Sequence, residues 1–295
     1  MNDTVAKIER CFESAGLFGC LHAVALHDTG TEIEVFPDEK VVLASVYKLP
    51  LAVAYARMVD AGELDPAERT TLDPASRTPG ATGTSAMSDP VTLSWRDAVR
   101  SMISVSDNAA ADALLDAVGG GRLDSMLEAL GLGSTRIVGG VRDLHASLVD
   151  DLGTASLGEA IMRMRDVTSL SDLATFDPEN PRSNVGTCRD LTRLLRAIWL
   201  DRAASREQCA FIRSVMAQQV WAQRLAAAFP FDDVVVSGKT GTFVALRHEA
   251  GVIEYPNGET YAIAVLTRST RARLVLPGAD AAIAQAAKLA VAALR

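Results

Sequence analysis

Lysine is scarce in this chain of 295 residues: of 29 basic residues only Lys7, Lys40, Lys48, Lys239 and Lys288 are lysines, and the rest are arginines. A composition that avoids lysine so strongly makes each remaining one a residue to account for. The other absences exclude whole classes of function. Positive charge is outweighed by acidic residues, giving a net charge of −8, so the basic footprint of a nucleic-acid binder is missing. No run approaches the roughly 18 uninterrupted apolar residues that a membrane span needs. Residues 1–16 carry charges throughout and offer no apolar stretch or small-residue cleavage site, so no secretory signal is expected and the cytoplasm is the expected compartment. The four cysteines (Cys11, Cys20, Cys188, Cys209) form no C-x-x-C pair and have no histidines at ligand spacing. They read as small buried hydrophobes, with no disulfide, metal or other cofactor expected. There is no internal repeat and no alternation of strand and helix of the kind that builds a parallel sheet.

What is present describes a globular protein with a substantial core: 48% of residues are hydrophobic, enough for one large domain or two modest ones. Val5, Ile8, Cys11 and Phe12 recur at helical spacing, so the chain opens with an amphipathic helix. The runs 20–28 and 32–36 read as a hairpin turning at Thr29-Gly30. From Ser45 to Ala61 the pattern is helical and almost wholly apolar, with Pro50 deep enough to distort the early turns. Residues 63–94 are loose and rich in Pro, Gly, Ser and Thr. Helices follow at 94–104, 108–118 and 121–131. Region 139–186 is the least legible, with one helix expected around 155–165. Two strong helices (189–203, 204–220), three antiparallel strands (233–242, 249–258, 259–269) and an alanine-rich closing helix (278–294) complete the chain. The hairpin and the late strands predict one antiparallel sheet of five strands. The terminal helices would lie on one face and a helical insertion on the other. This is an α+β fold, with residues 1–60 and 205–295 as a discontinuous α/β domain and 61–204 as a helical domain.

Three short motifs carry chemistry. The first is Ser45-Val46-Tyr47-Lys48, an S-x-x-K at a helix start. Three residues is nearly one turn, which places the lysine and serine on one face. An amine in an apolar site loses its preference for the charged form and can take the serine proton. The helix N-terminus adds backbone N–H groups near a developing oxyanion. A capped helix with a snorkelling lysine fits the same four residues. The second is Ser106-Asp107-Asn108 between two helices; it reads as a helix cap, and a capping loop can also present Ser106 and Asn108 to a cleft. The third is Lys239-Thr240-Gly241 in a β-branched strand, where the glycine permits close backbone approach and the lysine fits equally an edge strand protected against aggregation.

Each motif alone is common, but S-x-x-K, S-D-N and K-T-G together, in this order, are the signature of class A β-lactamases and penicillin-binding proteins. The chain resembles that family over nearly its whole length, including the flanks SVYKLP, VSDNAAADALL and SGKTGT, and looks most like β-lactamase-related serine hydrolases. The resemblance implies a β-lactamase/transpeptidase-like fold and the following roles. Ser45 attacks a carbonyl, Lys48 is the base, Ser106 relays a proton to the leaving group, and Lys239 holds Ser106 and a substrate carboxylate. Asn108 contacts a substrate amide, Thr240 and Gly241 flank the substrate, and the N–H groups of Ser45 and Thr242 form the oxyanion hole. Arg247 is either the family's carboxylate-binding arginine or a surface hairpin arginine.

The pattern breaks at one point. Thr135-Arg136-Ile137-Val138 matches the start of the loop that carries the deacylating glutamate in class A enzymes, yet the glutamate position falls at Val141. Residues 139–186 look like an enlarged replacement of that loop. Its acids (Asp143, Asp150, Asp151, Glu159, Glu179) read as solvated charges, and the four histidines (His22, His27, His145, His248) read as structural. The expected enzyme is a serine acyl hydrolase for a small amide, lactam or ester, with or without a carboxylate, and a poor β-lactamase. A true β-lactamase, an acyltransferase or transpeptidase, and a catalytically silent binding protein are the alternatives. Neither nucleic acid nor membrane is an expected partner, and the sequence leaves the oligomeric state open.

Overall fold

The computed structural model describes residues 2–26 and 31–295. Helix α1 (Asn2–Ser14) leads into β1 (Leu17–Ala25), β2 (Glu32–Val35) and a short β3 (Val41–Val42). A 3-10 turn, Ala44–Tyr47, runs directly into α2 (Lys48–Asp60). A ribbon of β4 (Arg69–Leu72) and β5 (Val91–Ser94) precedes α3 (Trp95–Ser104), α4 (Asn108–Val118) and α5 (Gly120–Ala129). Next come α6 (Val141–Leu152), α7 (Leu157–Arg163), β6 (Val185–Gly186), α8 (Cys188–Trp199), α9 (Arg206–Met216) and α10 (Leu225–Ala228). The chain closes with β7 (Val235–Phe243), β8 (Leu246–Glu254), β9 (Thr260–Ser269) and α11 (Pro277–Leu294).

The five-stranded sheet has the order β2-β1-β9-β8-β7, antiparallel at each pairing. Side chains alternate across it as strand geometry requires. Leu21 and Ala23 face a layer built from Ile8 and Phe12 of α1 and Ile283 and Val291 of α11. Cys20 and Val24 face the opposite layer, which runs on through α2, α3, α4, α8 and α9. With both faces covered, β1 and most of β9 read as nearly continuous apolar runs. All four thiols are free. Among the described residues no helix is long and apolar enough to cross a membrane.

Four local features differ from the sequence expectation. The turn Ala44–Tyr47 is 3-10 and α2 starts only at Lys48, so Pro50 falls in the first α-helical turn, where a missing N–H is tolerated. Strands β4 and β5 pair within the segment expected to be loop. Helix α6 occupies 141–152; its Val141, Leu144, Leu148 and Leu152 are at helical spacing, but its N-cap is Gly140, which gives no side-chain signal. Strand β8 begins at Leu246 rather than 249, because its Arg247 and His248 are buried although their chemistry suggests a loop. The expected turn at Thr29-Gly30, and His27 beside it, lie outside the described residues.

His248 shows how those polar side chains are used. Its Nδ1 accepts from Thr267 N at 3.0 Å, which leaves Nε2 to donate to Val42 O at 2.9 Å. The ring therefore ties β8 and β9 to the segment that enters Ser45. Burial pushes its pKa down to about 4. A depressed histidine takes up its proton in the unfolded chain first, so stability is present above about 6.5 and falls as pH drops toward 4, by up to roughly 3 kcal/mol. His22, also lowered by burial, acts in the same direction. Denaturant titrations across this window should show the fall, and it should flatten in His248→Gln.

Candidate active site

The nucleophile candidate follows a constrained turn of the chain. Ala44 has a positive φ of 43°, which turns the backbone from β3 sharply into the 3-10 turn, and Val46 N donates to Leu43 O at 3.1 Å. Ser45 is half-buried, whereas Lys48, one turn later, has no exposed surface. Helix α2 is apolar on nearly every side, so the amine is held in a water-poor site.

That amine is turned onto the loop between α3 and α4. Lys48 Nζ donates to Ser106 O at 2.8 Å, Asn108 Oδ1 at 3.0 Å and Asp107 O at 3.3 Å, and it lies 3.4 Å from Ser106 Oγ. Among the described residues it makes no direct hydrogen bond to Ser45 Oγ, the contact that the S-x-x-K spacing predicts. Burial pulls its pKa down to about 7, with the carboxylates of Asp112 and Asp107 opposing. Near neutral pH the charged amine, which donates to these oxygens, and the unprotonated base are both populated.

Asp107 fixes this loop. Its fully buried carboxylate accepts from Thr84 N (2.6 Å), Thr84 Oγ1 (2.7 Å), Ser85 Oγ (2.7 Å) and Ser101 Oγ (2.8 Å). It also accepts from Ala109 N at 3.1 Å and Ala110 N at 3.3 Å, capping α4. Burial alone would raise its pKa, but the hydroxyls of Ser85, Thr84 and Ser101 outweigh that and hold it low. Clamped in this way, the loop keeps Ser106 at a left-handed φ of 62°, a conformation that costs a non-glycine residue about 1–2 kcal/mol.

Edge strand β7 closes the site. Lys239, Gly241 and Phe243 share one face of it. A Cβ at Gly241 would lie 2.9 Å from Val46 Cγ2 and 3.0 Å from Leu43 O, so only glycine lets the strand come this close to the Ser45 turn. Lys239 is buried, donates to Thr240 O at 2.8 Å, and makes no hydrogen bond to Ser106 among the described residues. Burial is the main cause of its strongly lowered pKa, and the charge of Lys48 adds to it. Ser45, Ser106, Asn108, Thr240, Thr242 and Arg247 together line one cavity of about 380 Å³; Lys48, Lys239 and Gly241 stand behind its wall.

Arg247 is not a surface hairpin residue, being 2% exposed. It donates to Val244 O (2.8 Å), Leu246 O (2.7 Å) and Leu274 O, tying the rim segment to the sheet. A second arginine in the cleft, Arg224, went unread in the sequence. It donates to Thr242 Oγ1 at 2.7 Å, His248 O at 2.6 Å and Gly241 O at 3.1 Å, and pairs with Asp280 at 2.6 Å. Nothing in the local run Gln223-Arg224-Leu225 marks it, because each of its partners is far away in sequence. Two guanidiniums against one carboxylate make this end of the cavity suited to an anionic group. Away from the cleft, His22, Glu32 and Glu34 converge closely enough to suggest a metal site, but Arg189 donates to Glu34 Oε1 at 2.7 Å and Glu32 Oε2 at 3.1 Å and supplies the cation itself.

At the position where the sequence pattern expects the glutamate, Val141 is buried and apolar. The acids named from the sequence have structural partners: Asp143 accepts from Gly140 N, Asp151 from Thr175 N and Glu159 from Ala155 N. Asp150 pairs with Arg182, and Glu179 with Lys40. His22 bonds Thr192 and Glu32. His145 differs from His22 and His248, since its ring stacks on Phe243 at 6.2 Å and neither nitrogen has a hydrogen-bond partner among the described residues.

Known proteins resemble the chain over its whole length. Residues 5–294 match the β-lactamase enzyme family. The β-lactamase regulatory protein BlaB of Streptomyces cacaoi is 33% identical across 96% of this chain and 94% of its own. Among solved structures, a β-lactamase from Sphaerobacter thermophilus is 26% identical with a TM-score of 0.79, covering 99% of this chain and 97% of that one. A mutant of PBP-A, captured as an acyl-enzyme with penicillin G, is 21% identical with a TM-score of 0.77 and coverage of 99% and 96%. At that identity the likeness is one of fold.

The clamp on the loop can be tested directly. Asp107→Ala removes the acceptor for several buried donors at once and should lower stability by about 3–5 kcal/mol, measured by denaturant unfolding. A loss below roughly 1 kcal/mol would mean that the loop holds itself.

Proposed function

The chain belongs to the β-lactamase enzyme family, and from that membership we propose that it is a serine acyl hydrolase working through an acyl-enzyme on Ser45. The observation that carries this reading is Lys48, a fully buried amine brought to a pKa of about 7 one turn from a serine that opens onto the cleft. Neutral Lys48 takes the Ser45 proton as Oγ attacks the carbonyl carbon of an amide, lactam or ester. The N–H groups of Ser45 and Thr242 stabilise the oxyanion. Ser106 passes the proton from Lys48 to the leaving group, and Lys239, buried beside the site, assists by holding Ser106 and the substrate carboxylate. Asn108, Thr240 and Gly241 position the substrate amide, and a substrate carboxylate goes to the end of the cavity where Arg224 and Arg247 lie. Because Val141 stands in place of the deacylating glutamate, turnover of a β-lactam is slow and the adduct accumulates. Release to an acceptor other than water fits the same site.

The name of the Streptomyces cacaoi relative favours a second reading, in which occupancy of this cleft serves regulation and turnover is incidental.

One experiment separates these. After exposure to a fluorescent penicillin or a fluorophosphonate, intact-mass spectrometry should show a stable adduct, absent in Ser45→Ala with the fold unchanged. Lys48→Ala should slow acylation about 10²–10⁴-fold. In the wild type the acylation rate should rise with pH through about 7, since the neutral amine is the active form. Labelling that persists in Ser45→Ala overturns the reading. Penicillin hydrolysis at roughly 10⁴–10⁸ M⁻¹s⁻¹ replaces it with a true β-lactamase, and absence of any adduct favours the regulatory reading.

A further inference from the structure

The acyl-enzyme reading leaves one chemical step without a group: something must take a proton from the water that attacks the ester. The acids of 139–186 named from the sequence are engaged as caps and ion pairs. The insertion contributes a different titratable side chain. His145 lies on α6, four residues after Val141 and so on the same helical face.

Two contacts place this face beside the Ser45 turn. Asp112 accepts from Val141 N at 2.7 Å and Arg142 N at 2.9 Å, and Tyr47 OH of the S-x-x-K turn donates to the same carboxylate at 3.5 Å. The start of α6 is therefore docked against the residue that precedes Lys48. On the other side, the His145 ring stacks on Phe243. Phe243 shares its strand face with Gly241, which abuts Val46 of that same turn, and with Lys239. The imidazole thus packs on the end of β7, on a helix whose start is docked against Tyr47 through Asp112, half-buried and with both nitrogens unpartnered among the described residues. Burial lowers its pKa, the charge of Lys48 lowers it further and Asp112 opposes, so at neutral pH it is a free base.

We propose that His145 is the general base for hydrolysis of the Ser45 acyl-enzyme. This rests on the acyl-enzyme reading above. Water oxygen forms the new bond to the acyl carbon as its proton passes to a ring nitrogen of His145. The bond from that carbon to Ser45 Oγ then breaks, and the proton returns from His145 through Lys48 to Oγ. The products are the free acid and the original serine, with no further reactant needed. His145 takes no part in forming the ester.

The test separates the two half-reactions. The enzyme is acetylated with p-nitrophenyl acetate, excess reagent is removed, and decay of the acetyl adduct is followed by intact mass. In His145→Gln and His145→Phe, the second of which keeps a ring against Phe243, the nitrophenol burst should match wild type while adduct decay slows at least about 10²-fold. Melting temperatures check that both variants fold. Decay at the wild-type rate in both variants overturns the proposal, and so does loss of the burst together with the decay, which would make His145 a structural residue. If wild type forms no adduct on Ser45, the acyl-enzyme reading itself fails, and the proposal with it.

Discussion

An amine with no exposed surface must be either neutral or surrounded by oxygen, and the architecture around Ser45 follows from meeting that condition for Lys48. Helix α2 supplies the dry environment by being apolar on almost all sides. The α3–α4 loop supplies the oxygens, through two backbone carbonyls and the Asn108 amide. Asp107 and Asp112 add negative potential that stops the pKa from falling further. The outcome is an amine balanced near neutrality, which neither a fully solvated nor a fully isolated lysine would be. Lys239 adds a second buried amine, and mutual repulsion makes it harder for both to be charged at once.

The other end of the cavity solves the inverse problem. Arg224 and Arg247 stay charged when buried, so they are compensated by backbone carbonyls and by Asp280. Those carbonyls belong to Gly241, Val244, Leu246 and His248, at the ends of β7 and β8. The guanidiniums therefore brace the hairpin that carries Thr242 while leaving their positive field over the cleft. A positive field over the cleft and a stiffened strand edge are two results of one placement.

Much of this was legible in the sequence where geometry is set by a single element. One helical turn links Ser45 to Lys48, strand alternation sets Lys239 and Gly241 on one face, and Asp107 caps the helix that follows it. The antiparallel sheet with flanking helices followed from the order of periodic segments. The readings that fell short depend on partners distant in the chain. Arg224 is unremarkable until Asp280 and Thr242 arrive beside it. Arg247 and His248 look like loop residues until their buried partners are known, and this hid the start of β8. The oxygens that Lys48 meets at 106–108 belong to a loop that no spacing rule counts.

The Ser106-Asp107-Asn108 loop answers to two separate physical requirements. The flanking residues present their side chains to the cavity, while the middle one ties three segments of the fold together through its hydrogen bonds. A descendant that gave up catalysis would be released from constraint at Ser106 and Asn108 but would still need the aspartate in order to fold. Presence of the middle residue in a related chain would therefore say that the loop folds, and only its two neighbours would bear on what the cleft does.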